Sequence, residues 1–210
     1  MNNRYIIYCA LRGDDWKEKQ ARHLMPIGQN PLIAETAKKI HSIDKDAEIY
    51  TVMEKSQPVN IHYCKLVQVI KNEKYGTIDS FITTSDLWNK EGKTICVMGD
   101  TYFSENAIST IASNTDKGTI FFGRKGWHKL GVTNRNSIFG YSFDKDSHDT
   151  LKESMMNTVN NSENIGTLKI KDIMRECKTS KWVTIDDMTQ DLDIVNDYRV
   201  LMNTLELVKR

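Results

Sequence analysis

The chain has 210 residues, 27% of them charged and 39% hydrophobic, with a formal net charge of +1. That length suits one domain, spanning 1–210, whose core needs no disulfide or metal staple, and the near-neutral balance excludes a disordered tail or a basic nucleic-acid coat. The first apolar run is broken by Arg12, Asp14 and Asp15, too early for a signal-peptide core or a membrane span, so a cytoplasmic protein is expected, with no nucleic acid and no membrane as partner.

Taken in chain order, short β-branched and aromatic runs alternate with longer helical patterns. Strands are expected over Arg4 to Ala10, Ala47 to Met53, Lys65 to Ile70, Thr94 to Met98, Thr119 to Gly123, Ser137 to Phe143 and Trp182 to Ile185. Several are nearly all apolar, as strands buried on both faces should be. Helices are expected over Pro31 to Ile40, Thr77 to Trp88, Ser104 to Ala112, Ser147 to Val159 and Val195 to Val208, with Ser104 as an N-cap. Lys125 to Asn136 and Asn160 to Gly166 read as loops. Alternation of this kind predicts an α/β fold with a mostly parallel central sheet flanked by helices. Cys9, Cys64, Cys96 and Cys177 are scattered without a CxxC pair, which suggests reduced thiols and neither a zinc cluster nor a redox motif.

Three stretches carry candidate chemistry. Beyond the first strand, a polar loop holds Arg12, Gly13, Lys17, Lys19 and Arg22; loops at the carboxyl ends of open α/β sheets bind ligands, and these cations suit a triphosphate. A solvated loop, its charges balanced by Asp14, Asp15 and Glu18, explains the same composition. Next, the run TICVMGD ends in Gly99 and Asp100, followed by Phe103, so that Asp100 stands over the crevice as a candidate Mg²⁺ ligand, or else forms an Asx turn. Last, Asp186, Asp187, Asp191, Asp193 and Asp197 crowd the segment before the final helix. Mutual repulsion makes such a cluster a candidate cation site, and helix capping is the alternative.

In their order these stretches resemble the signatures of the sugar-phosphate nucleotidyltransferase superfamily, the pyrophosphorylases and cytidylyltransferase-like enzymes with a glycosyltransferase-A-like, Rossmann-like fold. That family has an Ala-rich strand end, a Gly-x-Gly-x-Arg loop, a Pro-Lys-x-Leu turn and a Gly-x-Pro-Leu helix start. The matching residues are Ala10 and Gly13, then Arg22, His23 and Leu24, then Gly28, Pro31, Leu32 and Ile33. Leu11 replaces the first loop glycine, Asp15 falls at the arginine, and Ala21 with Arg22 replaces Pro-Lys. Asp100 with Phe103 resembles the family's first metal segment, while Asp191, Asp193, Asp197 and Tyr198 resemble its closing Asp-x-Asp-Thr-Pro-x-Asp-Leu pattern.

The resemblance implies a Mg²⁺-dependent transferase that moves the nucleotidyl group of a nucleoside triphosphate, CTP or UTP by preference, to a phosphorylated small molecule in sugar-nucleotide biosynthesis. Arg12, Lys19 and Arg22 would polarise the triphosphate, and Asp100 and Asp193 would hold the metal with Asp191 in reserve. Ala10, Leu11, Gly13, Gly76, Thr77, Ser80 and Gly99 would line the nucleotide pocket. Arg124 and Lys125 are candidates for the acceptor phosphate. The rival readings are a metal-dependent glycosyltransferase using Asp191-Leu192-Asp193, and an inactive nucleotide-binding module.

Overall fold

The computed structural model describes residues 2–9, 16, 19–55, 58–69, 76–127, 136–163 and 168–208. Its central sheet has seven strands: β1 (Arg4–Tyr8), β4 (Glu48–Glu54), β5 (Cys64–Val69), β6 (Thr94–Met98), β8 (Ile120–Arg124), β9 (Ser137–Phe143) and β10 (Lys181–Thr184). The order across the sheet is β10-β8-β9-β6-β1-β4-β5, and only the pairings of β9 are antiparallel. Two small pairs lie outside it: the hairpin β2 (Pro26–Ile27) with β3 (Asn30–Pro31), and β7 (Thr101–Tyr102) with β11 (Gln190–Asp191).

Helices cover both faces: α1 (Leu32–Ile43), α2 (Gly76–Thr83), α3 (Glu105–Ser113), α4 (His148–Asn160), α5 (Ile170–Glu176) and α6 (Val195–Val208). The period-two alternation of a strand decides which side chains meet which layer. On β1, Tyr5, Ile7 and Cys9 pack with Ile33, Ala37 and Ile40 of α1 and Ile108 of α3. Ile6 and Tyr8 point the other way, onto Ile78 and Phe81 of α2 and Leu151 and Met155 of α4. Complete burial on both faces explains why these strands are apolar runs without alternation in the sequence.

The elements depart from expectation at a few points. Helix α1 starts at Leu32 because Pro31 remains extended (φ −61°, ψ 149°) and pairs with Pro26 across the turn at Gly28, where φ of +65° favours glycine. Helix α2 ends at Thr83, and a separate 3₁₀ turn covers Ser85–Leu87. The Thr84 hydroxyl donates back to the Ser80 carbonyl at 2.6 Å, a side-chain bond that competes with helix continuation. Ser104 caps α3 as expected, its hydroxyl accepting from Ala107 N–H at 2.9 Å. Helix α5 was not expected; it is seven residues long and opens with the Asp172 carboxylate accepting from Lys169 N–H at 2.9 Å.

The parallel strands bring their carboxyl ends together. Tyr8 pairs with Val52 on one side and Met98 on the other, and Gly99 N–H donates to the Tyr8 carbonyl at 2.8 Å. The next residue is Asp100, so the end of β6 delivers its carboxylate beside the end of β1. Among the described residues no helix is long and apolar enough to cross a membrane.

Candidate active site

Arg22, from the 3₁₀ turn Arg22–Leu24 after the first loop, joins the two acidic segments that lie far apart in the chain. One guanidinium nitrogen, Nη1, stands 3.3 Å from Asp100 Oδ2 and 3.4 Å from Asp193 Oδ1. The guanidinium also lies 5.5 Å from the Trp16 ring centroid, a distance at which the ring's quadrupole attracts a cation. Arg22 and Asp100 are enclosed, with side chains 9% and 13% exposed, whereas Asp193 is 40% exposed. Burial pushes the Asp100 carboxyl up to about 7; Arg22 opposes that shift, and the charges of Asp193 and Asp191 add to it. The protein has thus placed a carboxylate where it is costly to ionise without a cation nearby.

Backbone pairing fixes the two acids relative to each other. Asp191 of β11 is opposite Thr101 of β7, and Leu192 N–H donates to the Asp100 carbonyl at 2.9 Å. Leu192 is fully buried with Ile27, Leu32 and Leu201, which seats the segment against the hairpin and α6. Asp193 follows directly and reaches Arg22.

The C-terminal acids, crowded in sequence, take different partners. Asp187 accepts from the Ser104 hydroxyl at 2.6 Å and from Thr189 N–H at 2.7 Å, tying its turn to the start of α3; those bonds hold its carboxyl below the ordinary range, against the opposing effect of its burial. Asp191 Oδ2 accepts from the Ser137 hydroxyl at 3.0 Å. Asp197 is fully buried and accepts from backbone N–H groups, while Asp186 is exposed.

The remaining candidates fall in different places. Ala10, Leu11, Arg12 and Gly13 lie outside the described residues, as do the side chains of Gly76 and Thr77 at the start of α2. Lys19 is exposed. Ser80 is 93% buried within α2. At Gly99 a Cβ would sit 2.7 Å from Cys9 Sγ and 2.9 Å from the Tyr8 carbonyl, so glycine here permits the close approach of two strand ends. Arg124, expected at a strand end where an acceptor phosphate could reach it, closes β8 and is only 2% exposed. Its Nε donates to the Ile185 carbonyl at 3.2 Å and an Nη to the Asp187 carbonyl. Arg124 therefore holds the turn after β10, and Lys125 lies over the Trp182 ring at 5.2 Å.

Sequence reasoning missed several contributors. Trp16 lies against Arg22 but stands in a charged stretch of sequence with no periodicity to mark it. Lys39 of α1 donates to the Phe103 carbonyl at 2.6 Å and lies 4.3 Å from the Tyr102 ring centroid, bracing the segment after Asp100. Its place in α1 looks like an ordinary exposed lysine. His23 is 93% buried beside Arg22, and burial lowers its pKa to about 4, so it is neutral at physiological pH.

No known protein family matches the chain, and no curated protein matches it in sequence. Its fold is similar to that of the CTP:phosphocholine cytidylyltransferase of Streptococcus pneumoniae, with TM-score 0.67 and 13% identity over 98% of this chain and 100% of that one. It is also similar to 4-diphosphocytidyl-2C-methyl-D-erythritol synthase from Anaerococcus prevotii, with TM-score 0.65 and 13% identity over 98% of each chain. A third similar structure is a Bacillus anthracis protein assigned as a glucose-1-phosphate thymidylyltransferase, with TM-score 0.62 and 12% identity over 96% of this chain and 94% of that one. From first strand to last helix, the chain has the fold of the nucleotidyltransferases that its motif order resembles.

Proposed function

We propose that the protein binds a nucleoside triphosphate and transfers its nucleotidyl group to a phosphorylated small molecule such as a sugar phosphate, releasing pyrophosphate. The observation that carries this reading is the single guanidinium nitrogen of Arg22 shared by Asp100 and Asp193 at the carboxyl ends of β1 and β6. It brings a cation and two oxygen-donor acids to one point, in a fold shared with cytidylyl- and thymidylyltransferases. Two of those neighbours carry cytidylyl chemistry in their names, which supports CTP among the pyrimidine triphosphates.

The donor set fits Mg²⁺. That ion takes hard oxygen ligands, commonly one or two carboxylates completed by water and substrate phosphates, and Asp100 and Asp193 are such a pair, with the Arg22 charge now standing between them. When bound, Mg²⁺ would supply charge neutralisation for the phosphates. The chain's own groups do the rest. Arg22 orients the triphosphate and stabilises charge on its non-bridging oxygens, with Arg12 and Lys19 as further cations from the same loop. An acceptor phosphate oxygen attacks the α-phosphorus in line and pyrophosphate departs. The attacking oxygen is already an anion, so no general base is required and catalysis consists of positioning and electrostatic stabilisation.

Incubating the protein with each of the four triphosphates, Mg²⁺ and a panel of sugar and alcohol phosphates tests this by pyrophosphate release. Release that depends on the acceptor supports the reading. Release of a free sugar from a nucleotide sugar, without pyrophosphate, would instead support the glycosyltransferase.

A further inference from the structure

Asp197 lies in the first turn of α6 and is 0% exposed. A carboxylate withdrawn this far from water must be compensated by hydrogen bonds. Its Oδ2 accepts from Asp193 N–H at 3.0 Å and from Ile194 N–H at 3.1 Å. These are amides at the entrance to the helix, where backbone donors lack intrahelical partners. A carboxylate in a first helical turn ordinarily serves the helix dipole. Here the contact is more specific, because one of the two amides belongs to the acid that faces Arg22.

The neighbouring bonds show what that contact does. Leu192 N–H is fixed to the Asp100 carbonyl at 2.9 Å, and Asp193 N–H is fixed to Asp197. Tyr198, the residue after Asp197, donates its hydroxyl to the Pro26 carbonyl at 2.7 Å and so ties the same helical turn to the hairpin that follows Arg22. The amides on either side of the Asp193 Cα, its own and that of Ile194, are therefore both pinned to Asp197, and the amide before them is pinned to the Asp100 segment. With the backbone held, the Cα–Cβ direction of Asp193 is set.

We propose that Asp197 is a positioning residue: through the Asp193 amide it aims the Asp193 carboxylate at Arg22 and Asp100, and it sets the spacing of the acids that the proposed transfer reaction uses. The proposal rests on that functional reading for its catalytic consequence but not for its geometry, and the experiment separates the two.

Asp197→Ala and Asp197→Glu are compared with Ile173→Ala, which removes a buried apolar contact from α5, in a core cluster that does not include Leu192, and serves as the stability control. Asp197→Glu keeps the carboxylate that suits the first helical turn, while its extra methylene moves the acceptor. The ¹⁵N resonances of the Arg22 guanidinium report the Asp193 contact with no nucleotide or metal present. Electron paramagnetic resonance with Mn²⁺ alone, below the melting temperature, reports cation affinity. The expected result is a shifted Arg22 resonance and Mn²⁺ binding weakened about tenfold or more in the Asp197 variants, with turnover falling more than the Michaelis constant rises. Ile173→Ala should lower only the melting temperature. Wild-type Arg22 resonances and Mn²⁺ affinity in either folded Asp197 variant would overturn the proposal. Shifted resonances in a protein that shows neither Mn²⁺ binding nor turnover would uphold the positioning role and sink the functional reading instead.

Discussion

Replacing Arg22 by methionine should tighten cation binding while damaging turnover. The guanidinium stands 3.3 Å from Asp100 and 3.4 Å from Asp193, in the position a divalent cation would take between them. At an effective dielectric of about 20, unit charges this close attract by about 5 kcal/mol before desolvation is counted. Asp193 is 40% exposed, so solvent screens its share; the enclosed contact to Asp100 retains about 1.5–3 kcal/mol, as charged hydrogen bonds do. A cation entering the nucleotide-free protein must displace that contact, which weakens its affinity about ten- to hundredfold relative to a protein without the arginine. Titration of Mn²⁺ into Arg22→Met at pH 8, followed by electron paramagnetic resonance, should show a dissociation constant lower by about that factor. Turnover should fall at the same time, because the phosphates lose a cation that acts in both binding and chemistry. Unchanged or weaker Mn²⁺ affinity in the variant would show that the guanidinium does not stand in the cation's place.

Other consequences follow from the same geometry. Because burial raises the folded-state pKa of Asp100 to about 7 from the ordinary 3.8, the native protein binds more protons than the unfolded chain between those values. Metal-free stability should therefore fall as pH rises through that window and level off above it; denaturant melts should show the slope in the wild type and its loss in Asp100→Asn. Ser104→Ala removes both the cap on Ala107 N–H and the bond to Asp187, so the melting temperature should drop by about 2–4 °C for about 1 kcal/mol lost, with turnover unchanged. Gly99→Ala drives a methyl against Cys9 Sγ and the Tyr8 carbonyl; a cost of about 1–3 kcal/mol and a loss of activity through displaced Asp100 should appear together in melts and rates.

The inner sheet strands were legible because they are apolar runs buried on both faces, the partly exposed edge strands β5 and β10 because of their β-branched, aromatic and leucine residues, and five of the six described helices because their caps and periodicity are local properties. Thr94–Met98, Ser137–Phe143 and Val195–Val208 match expectation to the residue. The order of the strands was not legible, since pairing β9 between β6 and β8 depends on contacts remote in sequence. The β7–β11 pair escaped because two residues on each side cannot show periodicity. Candidate acids could be named from their places after strands, but only the resemblance, and no local property, set Asp193 apart from its neighbours. Nothing local distinguishes Asp187, bonded to Ser104, from Asp193, facing Arg22; 83 and 171 residues of chain separate those partners. Asp197 shows the same limit, since a first-turn carboxylate reads as a dipole partner until its complete burial is known. Arg124 misleads in the opposite direction: a cation beside Lys125 and Gly126 suggests an accessible strand end, while the carbonyls of residues 185 and 187 draw it inward.

The central claim is tested most directly by following the α-phosphate. With a nucleoside triphosphate labelled at that position, Mg²⁺ and a phosphorylated acceptor, the label should pass into an acceptor–nucleotide adduct as unlabelled pyrophosphate is released in equal amount. Asp100→Asn should remain folded and abolish both. Label that stays in the triphosphate with every acceptor, or transfers equally well in Asp100→Asn, would contradict the account.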